Sequence, residues 1–103
     1  MAQDLKPGSR WASAVDDTEV IVVKAGAPGL SLECGGHPMV PAGTEKPPGL
    51  TIDEDLAGGT PIGKRYEHES GLEVLCTKAG RGTLSVDGAV LPLKESKPLP
   101  ASD

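Results

Sequence analysis

The chain contains the same pattern twice, and this internal repeat limits its possible folds more than any other feature. Residues 19–38 align with residues 73–92 at a constant offset of 54, without a gap, and eight of the twenty positions are identical. An aromatic residue, Trp11 or Tyr66, precedes each copy at nearly the same distance. Self-similarity at a fixed period indicates that one structural unit is used twice. We therefore expect two related units to pack together within a single domain.

Short strands joined by tight turns are the predicted elements of each unit. Residues 18–23 and 72–77 are apolar runs rich in β-branched side chains, which favour strands. A Gly-containing turn and a shorter apolar return run follow each of them. Residues 18–34 and 72–88 are therefore each predicted to form a β-hairpin, and the fold class is predicted to be all-β.

The repeat divides the predicted domain, residues 1–103, into parts. A Gly-, Pro- and acid-rich loop joins the copies, and one helical turn over residues 51–57, capped by Thr51, is expected within it. Both termini are predicted to be extended, with residues 1–10 forming the first tail. The other parts are repeat one (11–39), the connecting loop (40–65), repeat two (66–93) and the C-terminal tail (94–103).

Composition restricts both the core and the partners. Phe is absent, so Val, Leu and Ile must supply a small core. The net charge of −5 opposes binding to nucleic acid, which depends on Lys and Arg neutralising phosphates, and it equally opposes an anionic membrane surface. The N-terminus lacks the apolar stretch of an export signal, and two cysteines then predict free thiols in a reducing cytoplasm.

A Gly-rich segment at the end of the first copy carries a family resemblance. Trp11 is followed by a four-residue knuckle, an apolar strand, a Gly turn and a return strand, and the copy ends in Cys34-Gly-Gly-His-Pro-Met39. This order resembles desulforedoxin, the small iron-binding module also found at the N-terminus of desulfoferrodoxin. That family has an aromatic residue, a Cys-x-x-Cys knuckle, a strand, a turn and a return strand ending in Cys-Cys-Gly-x-Pro-Met. The resemblance covers residues 11–39 and, more weakly, 66–93.

The resemblance also indicates where a metal would lie, and the chain departs from the family at those positions. In the first copy the four ligand positions hold one thiol, and in the second copy they hold none. Desulforedoxin is a pair of such modules, so the resemblance implies that the tandem repeat packs with pseudo-two-fold symmetry inside one chain. The implied positions are Ser13, Asp16, Cys34 and Gly35 in the first copy and Glu67, Ser70, Gly88 and Ala89 in the second.

The residues themselves offer a weaker metal site. Cys34 and His37 have knuckle spacing, and Asp16 would be a third ligand that leaves one position of a zinc or iron ion open. The alternative is that Cys34 is a small packed thiol and His37 a surface residue. Cys76 does not complete the site, because the repeat places it opposite Val22 inside an apolar strand.

These observations favour a non-catalytic accessory or protein-interaction module, derived from a metal-binding fold, without a cofactor. Its expected partner is another protein or a second copy of the chain, since a thin core and unpaired strand edges favour association. The candidate contact residues are Met39, at an exposed edge of the knuckle, and Ile52 and Leu56 in the acidic loop. The alternative for the loop residues, which we favour for most of them, is that they fold back over the thin core. The alternative function is a metal-binding or redox protein that uses Cys34 with His37 or Asp16.

Overall fold

A computed structural model gives the structure of the chain and describes residues 3, 5–27, 29–46 and 48–93. This part of the chain is all-β, as predicted, with nine short strands, one 3₁₀ turn and no α-helix. None of its helical segments is long and apolar enough to cross a membrane. The strands are β1 (Arg10–Ala12), β2 (Glu19–Lys24), β3 (Leu32–Cys34), β4 (His37–Pro38), β5 (Val40–Pro41), β6 (Arg65–Glu67), β7 (Glu73–Lys78), β8 (Leu84–Val86) and β9 (Ala89–Val90).

The strands form two antiparallel sheets. The first has the order β5-β1-β2-β7-β6 and the second the order β4-β3-β8-β9. The two longest strands, β2 and β7, pair with each other at the centre of the first sheet, with Ile21 opposite Leu75. At the centre of the second sheet β3 pairs with β8, and Glu33 lies opposite Ser85.

Alternation along the strands directs one face of each sheet into a shared core. In β2, for example, Val20 and Val22 are buried while Ile21 and Val23 are only partly so, as the period of two requires. Full burial of such a side chain contributes about 1.5–3 kcal/mol, so a core this small depends on each of them. The core comprises Trp11, Val20, Val22, Leu32, Cys34, Met39, Tyr66, Leu72, Val74, Cys76, Leu84, Val86 and Leu91.

The predicted hairpins over residues 18–34 and 72–88 are wrong, although their strands are correctly placed. β2 and β3 lie in different sheets, and so do β7 and β8. A six-residue strand paired with a three-residue return strand would leave half its backbone groups without a ladder partner. Pairing β2 with β7 gives both long strands a full-length partner, and the shorter strands pair with each other in the second sheet.

Hairpins form instead between strands that are closer in sequence. β3 turns into β4 over Gly35 (φ +64°) and Gly36 (φ +88°), and β8 turns into β9 over Asp87 (φ +50°) and Gly88 (φ +85°). Positive φ at both central residues is the geometry that suits a two-residue hairpin, and it favours Gly, Asn and Asp there. Asp87 and Gly88 therefore form a tight turn between β8 and β9.

The connecting segment and the first tail pack more closely onto the sheets than predicted. The helical turn is a 3₁₀ turn over Glu54–Leu56, and its cap is Asp53, whose Oδ1 accepts from Asp55 N at 3.0 Å, rather than Thr51. In the tail, the Gln3 side chain bonds to the backbone N and O of Leu32 at 2.6 and 2.8 Å. The tail predicted for residues 94–103 lies outside the described residues.

Candidate functional site

The knuckle that follows β1 is closed by hydrogen bonds. Ser13 N donates to Thr18 O at 2.8 Å, which closes a loop of six residues. Inside this loop the buried Ser13 Oγ accepts from the backbone N of Val15 and of Asp16, both at 3.2 Å. A short hydroxyl side chain that bonds to nearby backbone in this way stabilises a turn, and the turn directs the Asp16 side chain towards β3.

Three chain segments meet at the Asp16 carboxylate. The Thr18 hydroxyl donates to Oδ2 at 2.5 Å, and the backbone N of Gly82 donates to the same oxygen at 2.8 Å. The Cys34 thiol, at the end of β3, donates to Oδ1 at 3.7 Å. We call Ser13, Asp16, Thr18, Cys34 and Gly82 the Asp16 cluster. It brings together three of the four positions that the family resemblance assigns to a metal.

The charges within the cluster have clear physical causes. Burial raises the pKa of Asp16, but hydrogen bonds from Ser13, Thr18 and the Gly82 backbone outweigh burial and hold the pKa below its usual value. Burial, together with the negative charge of Asp16, raises the pKa of Cys34 to about 12. At neutral pH the site therefore holds a carboxylate and a protonated thiol, whereas a nucleophile or a metal ligand requires the thiolate.

The other predicted ligands do not join this pair. His37 lies in register with Cys34, but its Nε2 is 2.8 Å from Thr51 O, on the connecting segment. Gly35 has φ +64°, and a Cβ added there would lie 2.8 Å from a Val15 methyl group. A side-chain ligand at that position would require the neighbours to move. Among the described residues, no three His, Cys, Asp or Glu side chains are grouped so that they could hold a metal ion.

In the second copy of the repeat, the backbone hydrogen bonds match other residues to the metal positions than those predicted. His68, rather than Glu67, matches Ser13, because His68 N donates to Leu72 O at 2.7 Å as Ser13 N does to Thr18 O. The His68 ring then takes the place of the hydroxyl, and its Nδ1 accepts from Ser70 N at 3.1 Å.

The remaining second-half positions also differ from the prediction. Val86 ends β8 where Cys34 ends β3, and Asp87 follows it where Gly35 follows Cys34. Gly88 and Ala89 therefore come two positions too late in the predicted set. The paired turns Cys34-Gly-Gly and Val86-Asp-Gly are the signal in the sequence that would have located these positions.

A second group of buried polar side chains was not predicted. Thr60 is buried, and its hydroxyl donates to Gly82 O at 2.6 Å, which fixes the backbone next to the Asp16 cluster. The pKa of Tyr66 is raised by burial and by the nearby Cys76. No signal in the sequence marks Thr60, because it lies in a Gly- and Pro-rich segment, whereas Thr18 begins the apolar run of β2.

One buried carboxylate lies outside these groups. Glu73, at the start of β7, is 1% exposed and forms ion pairs with Arg65 Nη1 at 3.5 Å and Lys24 Nζ at 3.9 Å. Both cations come from strands on either side of β7 in the same sheet. A buried carboxylate with two cationic neighbours is a structural ion-pair site, and it lies away from the Asp16 cluster in the sequence and in the sheet.

Both thiols are buried, as predicted for Cys76, and they differ in their partners. Cys76 is 1% exposed, and its Sγ lies 3.2 Å from Lys78 O and 3.7 Å from Thr60 O.

Cys76→Val should lower the free energy of unfolding by less than about 1.5 kcal/mol, because the volume is similar and only weak thiol hydrogen bonds are lost. Urea unfolding and alkylation of the native protein test this. Cys34→Val should cost more, since it removes a donor to Asp16, and equal losses would contradict this assignment.

The predicted contact residues have different exposures. Met39 is 3% exposed and belongs to the core, which corrects the expectation that it lies at an exposed edge. Ile52 and Leu56 are half-buried and fold back onto the β3–β4 turn. The exposed large apolar side chains among the described residues are Leu50 (37%), Ile62 (63%), Val90 (55%) and Leu93 (47%).

Comparisons with protein-family models, with curated proteins and with solved structures gave no match to this chain.

Proposed function

We propose that the chain is a non-catalytic accessory or protein-interaction module, built from two desulforedoxin-like halves and acting without a metal. In this proposal the Asp16 cluster fills the place of the metal in the first half, and hydrogen bonds replace metal–ligand bonds. The observation that carries the proposal is that Ser13, Asp16 and Cys34 converge while their polar groups are satisfied by one another and by Gly82.

The register of the central strands supports a pseudo-two-fold relation between the halves. Suppose that a two-fold axis passes between Ile21 and Leu75 and that the copies are 54 residues apart. Exchanging the copies must then turn each paired couple of residues on one side of the axis into a paired couple on the other side. The neighbouring pairs of β2 and β7 meet this requirement, and they are Val20 with Cys76 and Val22 with Val74. In the second sheet the equivalent residues of the copies are 52 apart, with the axis between Glu33 and Ser85. The pairs on the two sides of this axis exchange in the same way, and they are Leu32 with Val86 and Cys34 with Leu84.

Backbone hydrogen bonds away from the axis give independent support. Gly8 N donates to Val22 O, and Gly63 N donates to Cys76 O, at 2.8 and 2.9 Å. Met39 N donates to Leu32 O, and Leu91 N donates to Leu84 O, at 2.9 and 3.0 Å. Matching bonds in both sheets are expected if one unit was duplicated, whereas chance similarity in a few strands would not produce them.

One observation favours the alternative function, a metal-binding or redox protein. The Asp16 carboxylate and the Cys34 thiol are already in contact, and both are ligand types for zinc or iron. Binding would require the thiol to lose its proton against its raised pKa, and further ligands would have to move towards it. The hydrogen-bonded form therefore supports the module without a metal more strongly.

Elemental analysis and partner capture test the proposal together. Protein purified without added metal should contain substoichiometric zinc and iron and should keep its unfolding midpoint in EDTA. Immobilised protein should capture the same partner from an extract of its host with or without EDTA. Val90→Ser/Leu93→Ser should lose that partner if these exposed apolar side chains make the contact, while the neighbouring exposed Ala89→Ser serves as the control.

Two results would overturn the proposal. A stoichiometric metal whose removal lowers the unfolding midpoint would establish the metal-binding alternative, because metal binding and folding are then coupled. Turnover of a small molecule, with no partner captured by the wild-type chain, would exclude a non-catalytic module.

A further inference from the structure

Residues 51–58, which we call the strap, cross over the β3–β4 turn and are bonded on both sides of it. Asp53 N donates to Gly35 O at 2.9 Å, and the His37 ring bonds to Thr51 O at 2.8 Å. At the other end, Thr83 N donates to Leu56 O at 2.8 Å. The strap is thus held over the turn in an extended path with a single 3₁₀ turn.

Two apolar side chains of the strap fit where the turn has no side chains of its own. A Cβ at Gly35 would lie 2.9 Å from Ile52 Cγ1, and a Cβ at Gly36 would lie 3.5 Å from Leu56 Cδ1. The two glycines therefore create a shallow groove, and Ile52 and Leu56, four residues apart, occupy it. The hydrogen bonds around them use only backbone atoms of the strap, paired with other backbone atoms, the His37 ring and the Thr83 hydroxyl, so another extended segment could form the same bonds.

The strap is weakly attached compared with the sheets. Its 3₁₀ turn contains no buried residue, and Ile52 and Leu56 are only half-buried. Its ion pair, Glu54 with Arg81 at 3.9 Å, joins two side chains that are 78% and 70% exposed, so this pair stabilises it very little. Segments with few buried apolar contacts open at a lower free energy than the core.

We propose that the strap is an internal ligand that leaves the groove without unfolding of the sheets, and that the groove then binds an acidic segment of a partner protein. The partner segment has the chemistry of the strap itself, with two large aliphatic side chains four residues apart among Asp and Glu. Arg81, beside the strap, supplies the complementary charge. This inference rests on the proposed function, because it identifies the kind of partner that the module binds.

Amide hydrogen exchange followed by NMR tests the opening. In the wild-type chain the Asp53 and Thr83 amides should exchange roughly a hundredfold faster than those of Val22 and Cys76, since opening of the strap needs less energy than global unfolding. Leu56→Ala should make all four amides about tenfold faster, because its contacts are lost both when the strap opens and when the whole protein unfolds. Val74→Ala, in the core, should speed only the Val22 and Cys76 amides, because it weakens the sheets equally whether the strap is closed or open. Ile62→Ala, at an exposed site outside the strap, is the matched control.

A synthetic peptide covering residues 49–59 tests the groove. The peptide should shift the amide resonances of Gly35, Gly36 and Thr83 in the full chain carrying Ile52→Ser/Leu56→Ser. The wild-type chain should need a higher peptide concentration for the same shift, because its own strap competes at high effective concentration. The same peptide with Ser at both aliphatic positions should not shift them. If the double variant is unfolded, the wild-type chain at high peptide concentration gives the same comparison between the two peptides.

If all four amides exchange at equal rates, the strap opens only with the whole protein. If the peptide causes no shift, the groove does not bind such a segment. Either result overturns the inference. Neither would alter the metal content or the capture of a partner at Val90 and Leu93, so failure of this inference is distinguishable from failure of the proposed function.

Discussion

Gly80→Val is expected to destabilise the protein strongly, because neighbouring residues leave no room for a side chain at this position. A Cβ at Gly80 would lie 2.5 Å from Thr18 N and would also contact the Thr18 hydroxyl and the Asp16 carboxylate. These groups are hydrogen-bonded within the Asp16 cluster and cannot move without breaking it. We expect a loss of about 3 kcal/mol or more, as for other severe overpacking, which is a large part of the stability of a small domain. Urea unfolding measures it.

Gly26→Val should also destabilise, for the same physical reason at the corresponding place. Its Cβ would contact the Ser70 hydroxyl and lie 2.8 Å from Leu72 N. The two variants would be expected to cost alike if both turns needed a glycine conformation, but neither Gly26 nor Gly80 has a positive φ. Close approach of the neighbouring segment, rather than backbone conformation, requires glycine at both positions.

Gly29→Val is the control that separates these causes. Gly29 has φ +80° and nothing within 4 Å of an added Cβ, so its substitution strains only the backbone. The expected cost is about 1–2 kcal/mol, as for a residue with a Cβ in the left-handed region. If Gly29→Val cost as much as Gly80→Val, crowding would not be the reason that glycine is required at position 80.

The sequence predicts the strands well because their signal is local. In the β-branched run before Lys24 and in its repeat before Lys78, fully buried positions alternate with partly buried ones over residues 20–23 and 74–76, and β2 and β7 form there. The pairing of strands is not a local property. It depends on which partner offers the longest ladder, and the best partner for β2 is 54 residues away in the chain rather than after the next turn.

Part of the candidate site was predicted from the sequence, and the residues that were misplaced are those whose side-chain direction the sequence does not give. Asp16 and Cys34 lie together as predicted, because the knuckle after β1 and the end of β3 meet in this fold. His37 and Met39 were assigned to the site and the surface by proximity in sequence alone. The turn over residues 35–36 sets their directions, so His37 reaches the strap and Met39 enters the core.

The errors in the second half come from a difference in loop length. Residues 25–31 join β2 to β3, whereas the shorter segment 79–83 joins β7 to β8. The ungapped alignment hides this difference, because a Leu-Ser pair recurs at the same offset as the strands, at Leu30 and Leu84. Aligning the two-residue turns, whose backbone needs positive φ, would have revealed the shift.

Asp16→Asn is expected to destabilise the protein at neutral pH and to remove part of its pH dependence. Asp16 accepts hydrogen bonds from Thr18, Gly82 and Cys34, and hydrogen bonds to a charged group contribute about 1.5–3 kcal/mol each at most. Asn keeps one acceptor and places an amide NH₂ against a donor, so a loss of about 3 kcal/mol is expected at pH 7. Asp17→Asn, at the exposed neighbouring position, should change stability very little.

The sign of the pH dependence follows from the pKa of Asp16. Hydrogen bonds outweigh burial and hold this pKa below its usual value of 3.8 in the folded protein, so the folded state binds the proton more weakly than the unfolded chain does. The stability from the carboxylate is therefore fully present above the unfolded pKa and is lost as the pH falls through the folded pKa. Urea unfolding should show a wild-type advantage over Asp16→Asn that is constant near neutrality and decreases below about pH 4. An advantage that stayed the same down to pH 2 would mean that the neutral acid serves the cluster as well as the carboxylate, and that the charge of Asp16 is not what holds the three segments together.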